Sequence, residues 1–342
     1  MPVNRRKFLM LAVGGAATLA IRPFVSNHIP GSGAPQDDGN AVTRRSWALG
    51  SNVTMTVLGA PTERANRALD ATFAELETVE QVMSLYRPDS QLCQLNRRRV
   101  LAQPHPYLVE VLSASAAASR LSGGAFDITV QPLWDLFAAA HKQGRVPTDD
   151  EVTNARRLID WRAVEISDDC IRLRAPATAV TLNGVAQGFA ADRAVAALRR
   201  HGIEHALVNA GEIGSLGAKP NGDDWTVGVQ HPRQRDAFVA LAALNGRSLA
   251  TSGDYETTFS ADFSKHHIFD PGTGQSPHEL ASVSIAAPSA LQADALSTAA
   301  MVLGPERTIA MIERLPNIDA LLVLKNGRSV RTPGFPEVTE TG

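Results

Sequence analysis

A chain of 342 residues that is 44% hydrophobic can bury a substantial core, as one large domain or as two lobes. Lys and Arg number 33 against 35 Asp and Glu, a net charge of −2, and no basic block interleaved with aromatics argues for a nucleic-acid or anionic-membrane partner. The two cysteines, Cys93 and Cys170, are too few for a disulfide scaffold and are open to one bridge or two buried thiols; no Cys-x-x-Cys or His-x-x-x-His spacing points to zinc.

Residues 1–21 read as a targeting segment: Arg5-Arg6-Lys7-Phe8-Leu9 leads into an apolar run ending at Ile21 that is short for a membrane span. Adjacent arginines before Phe-Leu resemble a twin-arginine export signal, and the absence of a nearby cysteine excludes a lipoprotein anchor. A periplasmic protein folded before export is expected. Residues 22–45, rich in Pro, Gly, Ser and Asp, read as a linker, with the folded domain over 46–335 and a tail over 336–342.

Trp47–Leu58 alternates loosely, like one strand interrupted at Gly50-Ser51. From Glu63 to Tyr86, Leu69, Phe73, Leu76, Val79 and Met83 recur at helical spacing, and Pro106–Leu121 forms a second helix stopped by Gly123-Gly124. Residues 141–178 are polar and turn-rich, with Val164–Ile166 and Ile171–Leu173 as short strands and no visible chemistry. Val180–Leu198 reads as a strand, a glycine turn and a helix whose first amides suit a phosphate. Strands are expected at Ala206–Val208, Trp225–Val229, Phe238–Leu244 and Ser282–Ile285. Gly211, Gly214 and Gly217 lack the spacing and the following helix of a dinucleotide loop. A helix bearing Asp294, another over Glu306–Leu315, and a hairpin of Ile318–Leu324 with Val330 through Asn326-Gly327 complete the reading.

The chemistry gathers in Ala250–Ser276, with Thr251, Ser252, the pair His266-His267 and the turn Asp270–Gly274, and in Ala293–Thr298. Asp294 and Thr298 stand four residues apart, on one face of a helix, as hard oxygen donors of the type Mg²⁺ prefers. By themselves they could equally be a first-turn acid and a hydroxyl bonding back to its own helix.

Together, TSGDY at 251–255, H-I-x-D-P-x-T-G at 267–274 and A-D-A-L-x-T at 293–298 resemble the ApbE family of FAD:protein FMN transferases. Met83–Ser90 with Leu95-Asn96, the run Gly124–Leu133, Val180–Asp192 and Asn209–Ile213 follow in family order, so the likeness spans about Ser46–Val330. The resemblance implies an α+β fold of mixed sheets and packed helices, with two lobes around an FAD cleft. It implies Mg²⁺-dependent transfer of FMN from FAD to a Thr or Ser hydroxyl of an exported or membrane electron-transfer protein, such as an acceptor flavoprotein of a respiratory complex, with AMP released. It also places FAD contacts at Leu49, Tyr86, Ala125, Phe126, Asp127, Thr181, Gln187 and Ile268, metal ligands at Gly184 (through its carbonyl), Asp294 and Thr298, and a general base at His267. The chain departs from the pattern at four places, one of them Glu212, which stands for a Gly-Asp pair in the Asn209–Ile213 segment. At the other three, Leu49 replaces a Met, Thr181 an Asp, and Gln187 a Lys or Glu; Thr181 and Gln187 lose charge but keep hydrogen-bonding capacity. Two other activities stay open, an FAD pyrophosphatase yielding FMN and AMP, and a non-catalytic flavin carrier.

Overall fold

A computed structural model describes residues 41–338. The expected signal segment and most of the expected linker lie outside the described residues, as does the end of the tail.

The hairpin that opens the domain starts earlier than expected, with β1 at Val42–Ala48, and pairs with β2 at Ser51–Leu58. The anticipated single strand is thus two, because Leu49 and Gly50 both take positive φ (54° and 73°) and close a two-residue turn between Ala48 and Ser51. Helix α1 (Thr62–Met83) follows, burying Ala65, Leu69, Thr72, Leu76, Val79 and Met83 at intervals of three and four. Next come α2 (Gln91–Arg98), capped by Ser90, β3 (Val100–Ala102) and α3 (Pro106–Leu121). Helix α3 matches its expected bounds at both ends, with Pro106 in the first turn and Gly123 and Gly124 at positive φ beyond its end.

Helix α4 (Gln131–Lys142) follows, and the polar stretch beyond it holds a further helix, α5 (Asp149–Arg156), before β4 (Val164–Ile166) and β5 (Cys170–Leu173). Val180–Leu182 is not a strand. The Asn96 side chain takes both main-chain groups of Val180, its N–H and its C=O, each at 2.8 Å, and leaves none for a ladder. Helix α6 (Ala186–Arg200) is followed by β6 (His205–Asn209), β7 (Ile213–Leu216), β8 (Trp225–His231), β9 (Gln234–Leu244), β10 (Ser248–Gly253) and β11 (Leu280–Ala287). The last long helix, α7 (Ala290–Ile312), is broken at Gly304, whose φ of 75° and ψ of 175° precede Pro305, so the two helices read from the sequence abut at this kink. Strands β12 (Asp319–Leu324) and β13 (Ser329–Arg331) close the chain around Asn326-Gly327.

The class is α+β, as expected. An eight-stranded antiparallel sheet runs β1-β2-β6-β7-β10-β11-β12-β13, with β3-β5-β4 and β8-β9 as smaller sheets. On one face, Val53, Met55 and Val57 of β2 pack under α1, α3 and α6, while Val283 and Ile285 of β11 pack under α7. The other face is covered by the β8-β9 ribbon through Trp225, Val227, Val229, Ala242 and Leu244. Every residue of β11 is therefore buried, which accounts for its unbroken small and apolar sequence. Each large side chain so enclosed contributes about 1.5–3 kcal/mol. Cys93 and Cys170 are free thiols.

Candidate functional site

Helices α6 and α7 meet end to face where β7 and β10 run beneath them, and the oxygen donors collect there. Asp294 and Thr298 lie on successive turns of α7. The Ser252 hydroxyl of β10 stands 3.2 Å from the Thr298 hydroxyl and 2.7 Å from that of Ser297, which donates to the Asp294 carbonyl at 2.9 Å. Gly184, in the turn before α6, sits directly against them: a Cβ there would lie 2.9 Å from Thr298 Oγ1. The structure thus brings together all three residues assigned to metal.

Gly188 lets this happen. It is buried in the first turn of α6 and its N–H donates to Asp294 Oδ2 at 3.0 Å. A side chain at 188 would stand 2.7 Å from Asp294 Cβ and nearer still to the Ala290 carbonyl. Burial pushes the Asp294 carboxyl up to about 7, against the stabilising Gly188 amide.

Facing it is Glu212, from the turn between β6 and β7. It is buried and accepts the Thr251 N–H at 3.0 Å. Burial first, and then the Asp294 charge, hold it well above the usual carboxylate range. Glu256 is pushed up to about 8 by burial, and the Tyr255 hydroxyl is raised by burial and by Glu256, Glu212 and Asp254. Such a pocket holds two or three acids that resist ionising alone, which a divalent cation would relieve. The donor set of carboxylate, hydroxyls and a main-chain carbonyl fits Mg²⁺. Among the described residues no group of three His, Cys, Asp or Glu forms a metal cluster; the set leans on hydroxyl and carbonyl oxygens instead.

The two adjacent histidines differ sharply. His266 is fully buried, with Nε2 3.0 Å from the Pro277 carbonyl and Nδ1 accepting the Ile268 N–H at 3.4 Å, so both ring nitrogens are engaged. His267 is half-buried, and its Nδ1 lies 3.2 Å from the Thr257 carbonyl. That bond assigns the proton to Nδ1 and leaves Nε2 with its lone pair. Burial, with His266 next, pushes the His267 imidazole down to about 4, so it is neutral near pH 7. No hydrogen bond among the described residues ties it to the Asp294 cluster.

The residues expected at FAD line three segments. Leu49 holds its left-handed turn conformation, costly for a side chain larger than Gly, while its N–H donates to Glu80 Oε1 at 3.1 Å. Glu80 also pairs with Arg87, beside Tyr86, whose ring is 52% exposed. In the second segment, Phe126 is buried and Ala125 packs beside the apolar cluster containing Ile268 and Leu296. Asp127 accepts the Thr129 hydroxyl at 2.6 Å, the Thr129 N–H at 2.8 Å and the Trp161 N–H at 3.2 Å; burial still raises its carboxyl. Thr181 joins this segment through its N–H to the Ile128 carbonyl at 2.8 Å. Gln187 lies apart from Thr181, across Gly211, where a Cβ would be 2.5 Å from its Cδ. Sequence reasoning passed over Gly188 and Glu256, and took Glu212 only as a departure from the family's Gly-Asp pair without a role. Gly188 left a trace as a glycine inside an apparent helix, whereas Glu256 left none.

The ApbE family model matches residues 49–322. The chain is 32% identical to an FAD:protein FMN transferase of Treponema pallidum, over 80% of this chain and 82% of that one. It is 29% identical to the FAD:protein FMN transferase of Salmonella typhimurium, over 84% and 86%. The structure superposes on an ApbE protein from Thermotoga maritima with a TM-score of 0.78 and 28% identity, covering 86% of this chain and 97% of that one.

Proposed function

The chain belongs to the ApbE family and is an FAD:protein FMN transferase, and we propose that it works with Mg²⁺ on an exported acceptor. The acceptor is a Thr or Ser hydroxyl of a periplasmic or membrane electron-transfer flavoprotein. Its oxygen bonds to the FMN phosphorus, the pyrophosphate bridge breaks, and AMP leaves with the bridging oxygen. The observation that carries this reading is the convergence of Asp294, Thr298 and Gly184 beside a buried second acid, Glu212. Asp294, Thr298 and the Gly184 carbonyl would hold Mg²⁺, which neutralises phosphate charge and polarises the phosphorus.

The protein's own groups do the rest. Leu49 and Tyr86 flank the flavin on one side, Ala125, Phe126, Asp127 and Thr181 border it on another, and Ile268 and Gln187 complete the contacts. His267 takes the hydroxyl proton on Nε2. An anionic pyrophosphate next to the ring raises its basicity from the resting value.

Incubation with FAD, Mg²⁺ and a candidate acceptor tests the reading. A covalently yellow acceptor is expected; free FMN and AMP would make the protein a pyrophosphatase, and unchanged FAD would make it a carrier. Export through the twin-arginine route rests on Arg5-Arg6. Changing both to lysine should leave the protein in the cytoplasm, and undiminished export of that variant would remove the route.

A further inference from the structure

Helix α7 carries both side chains assigned to the cation, and its start is held by a residue of α6. Asp192 Oδ1 accepts the Ala290 N–H at 2.7 Å, and Oδ2 accepts the Leu291 N–H at 2.9 Å. Asp294, one turn further along α7, accepts the Gly188 N–H of α6 at 3.0 Å. Gly188 and Asp192 are four apart and share a face of α6, so each helix caps the other with a carboxylate. The clasp is tight, since no Cβ fits at Gly188 between the Ala290 carbonyl and Asp294.

Ser289 already supplies α7 with an ordinary cap, its hydroxyl accepting the Gln292 N–H at 3.2 Å. A second cap built from a carboxylate enclosed enough for burial to raise its carboxyl is more than helix termination requires. What the extra bonds add is direction: they pin the first turn of α7 to α6 immediately before Asp294.

We propose that Asp192 is a positioning residue for the metal site: its two hydrogen bonds to the start of α7 fix where the Asp294 carboxylate stands relative to Thr298 and the Gly184 carbonyl. The inference rests on the Mg²⁺ reading above. Residues that orient a ligand from behind are typically worth about 10–100-fold in metal affinity.

The test is calorimetric titration of Mg²⁺ into the whole protein, without FAD or acceptor, for the wild type, Asp192→Asn and Asp294→Asn. Asparagine keeps the size and one acceptor oxygen but presents an NH₂ where an amide must be received. Asp192→Asn should bind Mg²⁺ about 10–100-fold more weakly, and Asp294→Asn should not bind. Wild-type affinity in Asp192→Asn, alongside loss in Asp294→Asn, overturns the proposal even if the melting temperature falls, because a purely structural cap leaves the affinity of the folded protein unchanged. A wild type that binds no Mg²⁺ removes the metal reading and the proposal with it. If Asp192→Asn does not fold, Asp192→Ser, which keeps a short acceptor, is judged by the same affinity criterion.

Discussion

His266 and His267 show how neighbours in sequence divide labour. With both ring nitrogens bonded and no exposure, His266 is a structural member of its loop. His266→Ala should cost about 1–3 kcal/mol in urea unfolding by stranding buried partners. His267→Ala should instead lower single-turnover transfer by about 10²–10⁴-fold with FAD affinity little changed; an effect below about tenfold would leave the reaction to metal-assisted positioning. The same burial predicts an acid dependence. Unfolded imidazoles take up protons near their ordinary pKa of about 6.5, whereas folded His267 resists until about 4. Its contribution is complete above pH 6.5 and is lost as the pH falls toward 4. Thermal midpoints measured over that window should decline less in His267→Ala than in the wild type.

At the scale of elements, the clasp between α6 and α7 leaves no space for a methyl at Gly188. Gly188→Ala should destabilise the fold by about 1–3 kcal/mol and abolish transfer, and full activity with unchanged stability would mean the helices tolerate separation. How far such elements were legible depended on where their bonds go. Helix α3 carried its own signals, Pro106 at the start and two glycines at the end, and was readable throughout. Helix α5 carried one too, Thr148 and Glu151 as a capping box, but buries only Val152 and Ala155, too few for periodicity to reveal it. Strand β10 was masked by the turn residues that follow it. Val180–Leu182 has a strand's composition, yet Asn96 and Ile128, both distant in sequence, take the main-chain groups of Val180 and the Thr181 N–H. The site divides in the same way. Asp294 and Thr298 are local in sequence, whereas the roles of Glu212 and Asp192 exist only once helices and strands approach.

Across the whole molecule, the loop that carries the histidines is tied down by a buried charge. Asp254 is fully buried, with Arg233 of the β8-β9 turn bonding both its oxygens at 2.7 Å and Lys325 of the β12-β13 turn at 3.2 Å. Arg233 also lies over the Phe263 ring and Lys325 donates to the Phe263 carbonyl, so three distant segments share one anchor. Asp254→Asn leaves two cations short of their partner and should cost about 3–5 kcal/mol, read from denaturant midpoints; a loss below 1 kcal/mol would show that water screens the network.

The strand order carries a consequence for synthesis. Strand β2 finds its inner partner, β6, only after roughly 150 further residues, and at a ribosomal pace of about 5–20 residues per second that is a wait of roughly 8–30 s. During that interval the hairpin's inner face, Val53, Met55 and Val57, has nothing to close against except the helices that emerge first. Because the strand order of the large sheet is also the chain order, each strand can add to the edge left by the one before, with a long pause between β2 and β6. The nascent chain therefore depends on α1 and α3, or on a chaperone, to shield that face until β6 has emerged.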